Sequence, residues 1–280
     1  MHEIKKIKKL NPELTEIEVE APLVAEKVKP GQFVVIRLHE KGERIPLTFY
    51  KRDAKKGTIS MIFQKVGKST NELATYDEGD KIKDVIGPMG TPVEIKHYGT
   101  VVCVGGGVGT PEIFPVAKAM KRAKNNVIVI SGFRTDDLIV CEKEMKKGCA
   151  DEIYICTEDG SYGRKGLTTD VLKEIIEDTK IDLVHTVGPP IMMKVISEIT
   201  EKYDIPTRVS LNSIMLDATG MCGSCRVEVG GETKLACVDG PEFNGHKVNF
   251  DELMNRLNMF KDQEKVALER WKEKNGCDCH

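Results

Sequence analysis

Apolar and polar residues alternate along the first third of the chain and then change rhythm. Thr15, Ile17 and Val19 alternate with Glu16, Glu18 and Glu20, the period of a half-buried strand. Pro30-Gly31 turns the chain into a second run, Gln32 to Leu38, and Lys56-Gly57, Gly79-Asp80 and Gly87-Pro88 punctuate the segments after it. Short strands at regular turn spacing predict an all-β barrel or sandwich up to Ile95. After Tyr98-Gly99 the runs become continuous, apolar and β-branched: Thr100–Val104, Val127–Ile130, Glu152–Ile155 and Leu183–Val187. Between and after them, helical patterns cover Pro111–Ala123, Leu138–Lys147, Thr168–Asp178 and Pro190–Tyr203. Strands alternating with helices predict right-handed βαβ units on a parallel sheet. The rest of the chain holds a cysteine-rich segment and one amphipathic helix, Phe250 to Glu273, opened by Asp251. Neither an internal repeat nor a low-complexity linker interrupts the pattern.

Composition narrows the classes. A chain of 280 residues has room for about two domains. With 40% hydrophobic and 31% charged residues it can pack real cores. A net charge of -2 lacks the basic surplus of a nucleic-acid binder. No stretch approaches the roughly 18 consecutive apolar residues of a membrane span. The N-terminal segment carries lysines but no apolar h-region. The expectation is a soluble, cytoplasmic protein. Nine cysteines, an odd number, argue against a disulfide framework and for buried, catalytic or metal-bound thiols. Cys103, Cys141, Cys149 and Cys156 sit in apolar or helical contexts and read as small buried hydrophobes. Cys277, Cys279 and His280 read as a frayed tail, and His97, His185 and His246 are isolated and receive no chemistry.

The first chemical motif follows the run Val101–Val104. Gly105, Gly106, Gly107 and Gly109 precede Thr110 and Pro111, where a cap and a first helical residue belong. Glycines let the backbone approach a pyrophosphate, and the helix N-terminus offers free amides and a favourable dipole. Gly105 and Gly107 match the dinucleotide fingerprint G-x-G-x-x-G, but its third position is Thr110. Asp159-Gly160 follows another strand of the same sheet and Gly188-Pro189 a third. Three such turns at strand C-terminal ends form a crevice edge where open α/β sheets bind nucleotides. Phe133-Arg134 follows the strand where ribose recognition occurs, and an arginine suits a 2′-phosphate, so the residues leave NAD and NADP both open.

A second pair of segments, Arg44 to Thr48 and Val66 to Thr70, combines cationic groups, hydroxyls and a flexible glycine. The chemistry could clamp phosphates, but taken alone it reads better as solvated surface turns. The third motif is D-x4-C-x2-C-x11-C, made of Asp217, Cys222, Cys225 and Cys237. It has the frame of a plant-type [2Fe–2S] site with aspartate in the first slot. Ala218, Gly220, Gly223 and Ser224 are small enough for the loop to wrap closely. Asp217 reads as a fourth ligand or as a turn aspartate, and a tetrahedral zinc site remains the other metal reading.

With these residues in hand, the chain resembles the ferredoxin–NADP reductase superfamily, in the branch of dihydroorotate dehydrogenase B electron-transfer subunits. The resemblance rests on Lys29 to Phe33, Pro46-Leu47-Thr48, the α/β region ending near Gly188-Pro189, and the cysteine loop. Ser210–Met215, Asp217–Gly223 and Ala236–Phe243 look like the small subunits of NADH-dependent reduced ferredoxin:NADP oxidoreductases. The resemblance implies an FAD-binding β-barrel over 1–97 and an NAD(H)-binding α/β parallel-sheet domain over 98–206. It implies a small [2Fe–2S] domain over 207–249, with a C-terminal helix and tail over 250–280. Carried over by position, FAD contacts fall on Arg44, Pro46, Leu47, Thr48, Phe63, Gln64, Gly67, Ser69 and Thr70. Arg44 stands one residue earlier than the arginine of the superfamily pattern.

NAD(H) contacts fall on Gly105, Gly106, Gly107, Gly109, Thr110, Asp159, Gly160, Gly188 and Pro189, and cluster ligands on Asp217, Cys222, Cys225 and Cys237. The resemblance implies no acid–base catalytic residue. It implies a large partner subunit with its own flavin, [4Fe–4S] clusters and an NADP(H) site, and through it ferredoxin, in flavin-based electron bifurcation. The apolar positions Leu253, Leu257, Phe260, Leu268 and Trp271 of the last helix face either that partner or the chain's own barrel. The nearest rival is the electron-transfer subunit of a dihydroorotate dehydrogenase, which carries cysteine where this chain has Asp217. A rival of another class is a zinc-bearing, nucleotide-sensing interaction protein, which would be colourless.

Overall fold

A computed structural model describes residues 1–276; Cys277, Cys279 and His280 lie outside the described residues. The first part is an antiparallel sheet that curls into a half-barrel. Its elements in chain order are β1 (His2–Lys9), β2 (Leu14–Glu20), α1 (Pro22–Lys27), β3 (Phe33–Arg37), β4 (Arg44–Asp53), β5 (Thr58–Gln64), α2 (Lys68–Leu73), β6 (Lys81–Ile82) and β7 (Asp84–Met89). The strand order is β6-β1-β2-β5-β4-β3-β7. The alternation at β2 does what it predicts: Ile17 and Val19 are buried and pair with Met61 and Ile59 of β5. Ile4, Ile36, Phe49, Phe63 and Leu73 fill the same interior. Each such side chain is worth about 1.5–3 kcal/mol of burial.

The second part is a mixed sheet wrapped by helices. It contains β8 (Thr100–Gly106), α3 (Gly109–Arg122), β9 (Asn126–Phe133), α4 (Glu142–Gly148), β10 (Glu152–Thr157), β11 (Arg164–Lys165), α5 (Thr168–Asp178), β12 (Leu183–Val187), α6 (Pro190–Glu201) and β13 (Thr207–Ser210). The strand order is β11-β10-β9-β8-β12-β13, and these pairs are parallel. The chain runs outward from β8 on one side and returns through β12 on the other, so the switch point lies between β8 and β12. Open α/β sheets bind ligands there. The helix expected from Leu138 begins only at Glu142, because Cys141 takes a left-handed φ of 63° and a 3₁₀ turn fills Asp136–Leu138.

The third part adds β14 (Arg226–Val229), β15 (Glu232–Leu235), β16 (Glu242–Asn244), α7 (Phe250–Leu257) and α8 (Lys261–Asn275). A division at 206/207 falls inside the large sheet, since β13 pairs with β12 and β16 closes that edge antiparallel to β13. Segment 207–249 is therefore interwoven with the α/β layer. The single helix expected over Phe250–Glu273 is two helices. At the break, the Asn258 N–H bonds back to the Met254 and Asn255 carbonyls. The packing explains it: α7 buries Phe250 and Leu253 in the core of the third part, whereas α8 buries no residue and lies against α2. Of the expected apolar face, Leu253 is buried, Leu257 packs beside it, and Phe260 is exposed. None of the described helices is long and apolar enough to cross a membrane.

One core joins all three parts: Phe33 and Val35 of β3, Met193 of α6, Val209 of β13, and Met215, Ala218, Cys225 and Cys237 of the cysteine segment. Thr91 ties the barrel to that segment twice, its N–H to the Gly240 carbonyl at 2.6 Å and its hydroxyl to the Val238 carbonyl at 2.9 Å.

Candidate functional site

Two cavities meet where the barrel faces the sheet. The barrel cavity, about 410 Å³, runs along β4 and the end of β5 and reaches the first turn of α2. Pro46, Leu47, Thr48, Phe63, Gln64, Gly67, Ser69 and Thr70 line it. Arg44 does not; it is exposed at the start of β4, so the structure does not bring its guanidinium into the cavity. The hydroxyls at α2 have internal partners. Ser69 donates to Glu43 at 2.7 Å, and the Thr70 hydroxyl accepts from the Val66 and Gly67 N–H groups at 3.1 and 3.2 Å. A side chain at Gly67 would meet nothing within 4 Å, so that wall is open to a guest. α8 completes the rim with Glu264 and Ala267.

The sheet cavity, about 660 Å³, opens over the switch point. Gly106, Gly107 and Gly109 line it from the β8 turn, Gly188 and Pro189 from the β12 turn. At Gly106, Gly109 and Gly188 the lack of a side chain is structural. A Cβ on Gly106 would lie 2.7 Å from Met192 Sδ, and one on Gly109 would lie 2.2 Å from the Val187 carbonyl oxygen. Gly109 thus lets α3 start flush against β12, with its free amides at the crevice. Gly105 and Thr110 stay behind the wall: a Cβ on Gly105 would lie 2.7 Å from Thr110 Cα, so this pair serves helix-to-strand packing. Asp159 and Gly160 are outside the cavity too, in a turn where Asp159 accepts the Ser161 N–H and hydroxyl at 3.0 and 2.7 Å.

Sequence reasoning missed several lining residues. Glu158, one position before Asp159, lines the sheet cavity, as do Gly132, Thr168 and Thr169. Arg134 lines it as well, but its guanidinium is paired with Glu13 from the turn between β1 and β2. Gln64, Val108, Glu112, Ser210 and Asn212 line both cavities, and so form the wall at which the two guests would touch. Glu112 is half-buried in the first turn of α3, where burial pushes its carboxyl up to about 7. A carboxylate in a helix's first turn reads as solvated dipole compensation, and only the tertiary fold reveals its position.

The cysteine loop begins where that wall ends. Leu211, Met215 and Pro241 line the barrel cavity, and Met215 packs in one core with Cys225 and Cys237. Cys225 and Cys237 are buried free thiols with sulfurs 3.1 Å apart. Burial, first, and its neighbour Cys225 push the Cys237 thiol up to about 12. Cys222 is exposed, 3.1 Å from the Ser224 hydroxyl, whose hydrogen bond lowers its thiol pKa. Asp217 accepts the Thr219 and Cys222 N–H groups, both at 2.9 Å, and the Thr219 bond leads the causes that lower its carboxyl pKa. Ala218, Gly220 and Gly223 all take left-handed φ and wind the loop tightly. Among the described residues, no three His, Cys, Asp or Glu side chains converge closely enough to hold a metal ion. The donors nevertheless fit an iron–sulfur cluster: two thiols already meet, and a third thiol and a carboxylate lie on the same close-wound loop. Thiolates are the ligands such clusters take.

Comparison with known proteins adds four findings. Residues 212–249 match the family model of the iron–sulfur cluster binding domain of dihydroorotate dehydrogenase B. A Thermotoga maritima homologue of the dihydroorotate dehydrogenase B (NAD⁺) electron transfer subunit is 46% identical over 276 residues, covering 99% of this chain and 97% of the relative. The structure of an NADH-dependent reduced ferredoxin–NADP oxidoreductase, solved for insight into flavin-based electron bifurcation, contains a chain 46% identical. It superimposes with a TM-score of 0.92 over 97% of this chain and 98% of that one. The ferredoxin reductase of carbazole 1,9a-dioxygenase, 18% identical, shares the fold with a TM-score of 0.62 over 73% of this chain and 65% of that one.

Proposed function

The chain belongs to the family of dihydroorotate dehydrogenase B electron-transfer subunits and their homologues, and on that premise we propose how its two cavities and cysteine loop divide the work. The chain is a flavin-dependent oxidoreductase subunit that exchanges hydride with NAD(H) and passes single electrons to or from a larger partner subunit. FAD, when bound, converts between a two-electron hydride and the single electrons that a [2Fe–2S] cluster carries. In our reading, Pro46, Leu47, Thr48, Phe63 and Gln64 hold the flavin, and Gly67, Ser69 and Thr70 lie at its phosphates. Gly106, Gly107, Gly109, Gly188 and Pro189 admit the backbone-close pyrophosphate of NAD(H). Cys222, Cys225, Cys237 and Asp217 hold the cluster. Arg134 is tied to Glu13, and Glu158 puts a second carboxylate at the same cavity, an environment that favours a ribose hydroxyl over a 2′-phosphate.

The observation that carries this reading is the shared wall. The two cavities meet at Gln64, Val108, Glu112, Ser210 and Asn212, and the chain runs from Asn212 directly into the cluster loop. In this reading, Ser210 and Asn212, which line both cavities, lead on into the cluster loop and would set hydride acceptor, hydride donor and one-electron carrier side by side. We further propose that the partner carries a second flavin, [4Fe–4S] clusters and the NADP(H) site, so that the pair couples NADPH oxidation to reduction of NAD⁺ and ferredoxin, or the reverse.

The test is anaerobic reconstitution with FAD, iron and sulfide, followed by NADH. The reading expects flavin absorbance that NADH bleaches and a reduced-cluster EPR signal that grows in with it. A colourless chain that binds zinc instead would overturn it. The second reading, a dihydroorotate dehydrogenase subunit, draws on the family match at 212–249. The complex with its large subunit separates the two: reduction by NADPH supports the first, reduction by dihydroorotate the second.

A further inference from the structure

Among the described residues, Glu112 is the one ionisable side chain on the wall that the two cavities share; the other four positions are Gln64, Val108, Ser210 and Asn212. Among the described residues, no charged neighbour offsets its burial. α3 packs on β4, β8, β9 and β12. Of these, β4 carries Arg44, Tyr50, Lys51, Arg52 and Asp53, β8 carries Cys103, β12 carries His185, and β9 carries none. None of those groups lines either cavity. The cavities' other charged side chains line one cavity each: Glu43, Lys68 and Glu264 on the barrel side, Glu13, Arg134 and Glu158 on the sheet side.

The proposed reaction leaves a proton to be placed. NADH gives up a hydride, which is one proton with two electrons. With FAD and the cluster bound, the electrons would leave singly toward the iron–sulfur centre, and the proton would be left for a side chain of this chain to take up. Resting on the functional reading above, we propose that Glu112 is the carrier of this proton: its carboxylate takes it up as the acid and releases it to water in the sheet cavity. In the reverse direction the acid returns it. The geometry supplies the reason, because among the described residues no other side chain on that wall can both gain and lose a proton. The carboxyl's elevated pKa, close to neutrality, suits a group that must do both.

Time-resolved infrared spectra during reoxidation of the NADH-reduced, FAD-loaded chain by a one-electron acceptor test this, with wild type beside Glu112→Gln and Glu112→Asp. The expected result is a transient carboxylic-acid band in wild type, shifted in Glu112→Asp and absent in Glu112→Gln. In Glu112→Gln, reoxidation should also slow at least tenfold relative to NADH bleaching and lose its pH inflection near 7. A band that survives in Glu112→Gln, or reoxidation that follows wild type at every pH, overturns the proposal. If Glu112→Gln does not retain FAD, the Glu112→Asp band decides alone: shifted supports, unshifted overturns. A wild-type chain that holds FAD but is not bleached by NADH refutes the functional reading instead.

Discussion

The turn at Gly105–Gly109 and the loop at Asp217–Cys225 both rely on glycine, yet the surroundings fix them to different degrees. In the first, added carbons at Gly105 and Gly109 would run into backbone at 2.7 and 2.2 Å, so strand and helix packing dictate the shape before any ligand arrives. In the second, a carbon on Gly223 would meet nothing within 4 Å, and one on Gly220 would meet side chains alone, Val238 at 2.8 Å and Leu235 at 3.7 Å. There, left-handed φ and the two N–H bonds to Asp217 set the path. The glycine turn is built by the fold, while the cysteine loop is held by its own hydrogen bonds. A preformed crevice suits a substrate that comes and goes. A donor-held loop suits a resident group whose binding energy contributes to its folding.

Substitutions should expose this contrast. The largest effect belongs to Gly109→Ala, which forces a methyl into the Val187 carbonyl; urea denaturation of the apoprotein should show a loss of about 3 kcal/mol or more. A loss below about 1 kcal/mol would mean that packing does not set the turn. Cys237→Ser comes next: iron content should fall close to zero while FAD content stays at the wild-type level. Asp217→Ala should lower iron retention under chelator about 10-fold or more, whether the carboxylate ligates or only orients the loop. Asp217→Cys separates those roles, since a ligand swap changes the reduced EPR spectrum.

The sheet side also has a pH signature. Asp182 accepts the Thr100 N–H at the base of β8, and that bond leads the causes lowering its carboxyl below 3.8. A depressed folded-state pKa gives stability that is full above the unfolded value and lost as pH falls through the folded one. Asp182→Asn should therefore flatten the acid limb below about pH 4 and leave the neutral region's slope unchanged. The smallest effect is expected at Gly223→Ala, where only the left-handed φ of 67° is penalised, about 1 kcal/mol in the same denaturation assay.

Much of this was legible in the sequence, for identifiable reasons. The Glu16–Glu20 alternation and the β-branched runs after Thr100 are local signals, and β2, β8, β9 and β12 follow them. The cysteine spacing is local as well. The pairing of β16 against β13 was not visible, because it joins segments across the intervening cysteine loop. Neither was the break at Asn258, which reflects what each half of the helix finds to pack against. Glu112 escaped notice because an acidic side chain in a helix's first turn looks solvated until another domain covers it, and Glu158, which stays exposed, because only the fold sets it at the cavity. Thr110 failed the glycine fingerprint for a physical reason: it supports the turn from behind.

In the proposed function, the sheet cavity delivers hydride to the barrel cavity across their shared wall. Gly107 lines the sheet cavity with nothing within 4 Å of an added carbon, so Gly107→Leu fills that space at the cost of a left-handed residue, about 1–2 kcal/mol. Rapid mixing of the FAD-loaded variant with NADH should show bleaching slowed at least 100-fold, in the range that misplacing a reactant costs, with FAD content and chemical reduction by dithionite unchanged. Bleaching by NADH at the wild-type rate would contradict the account.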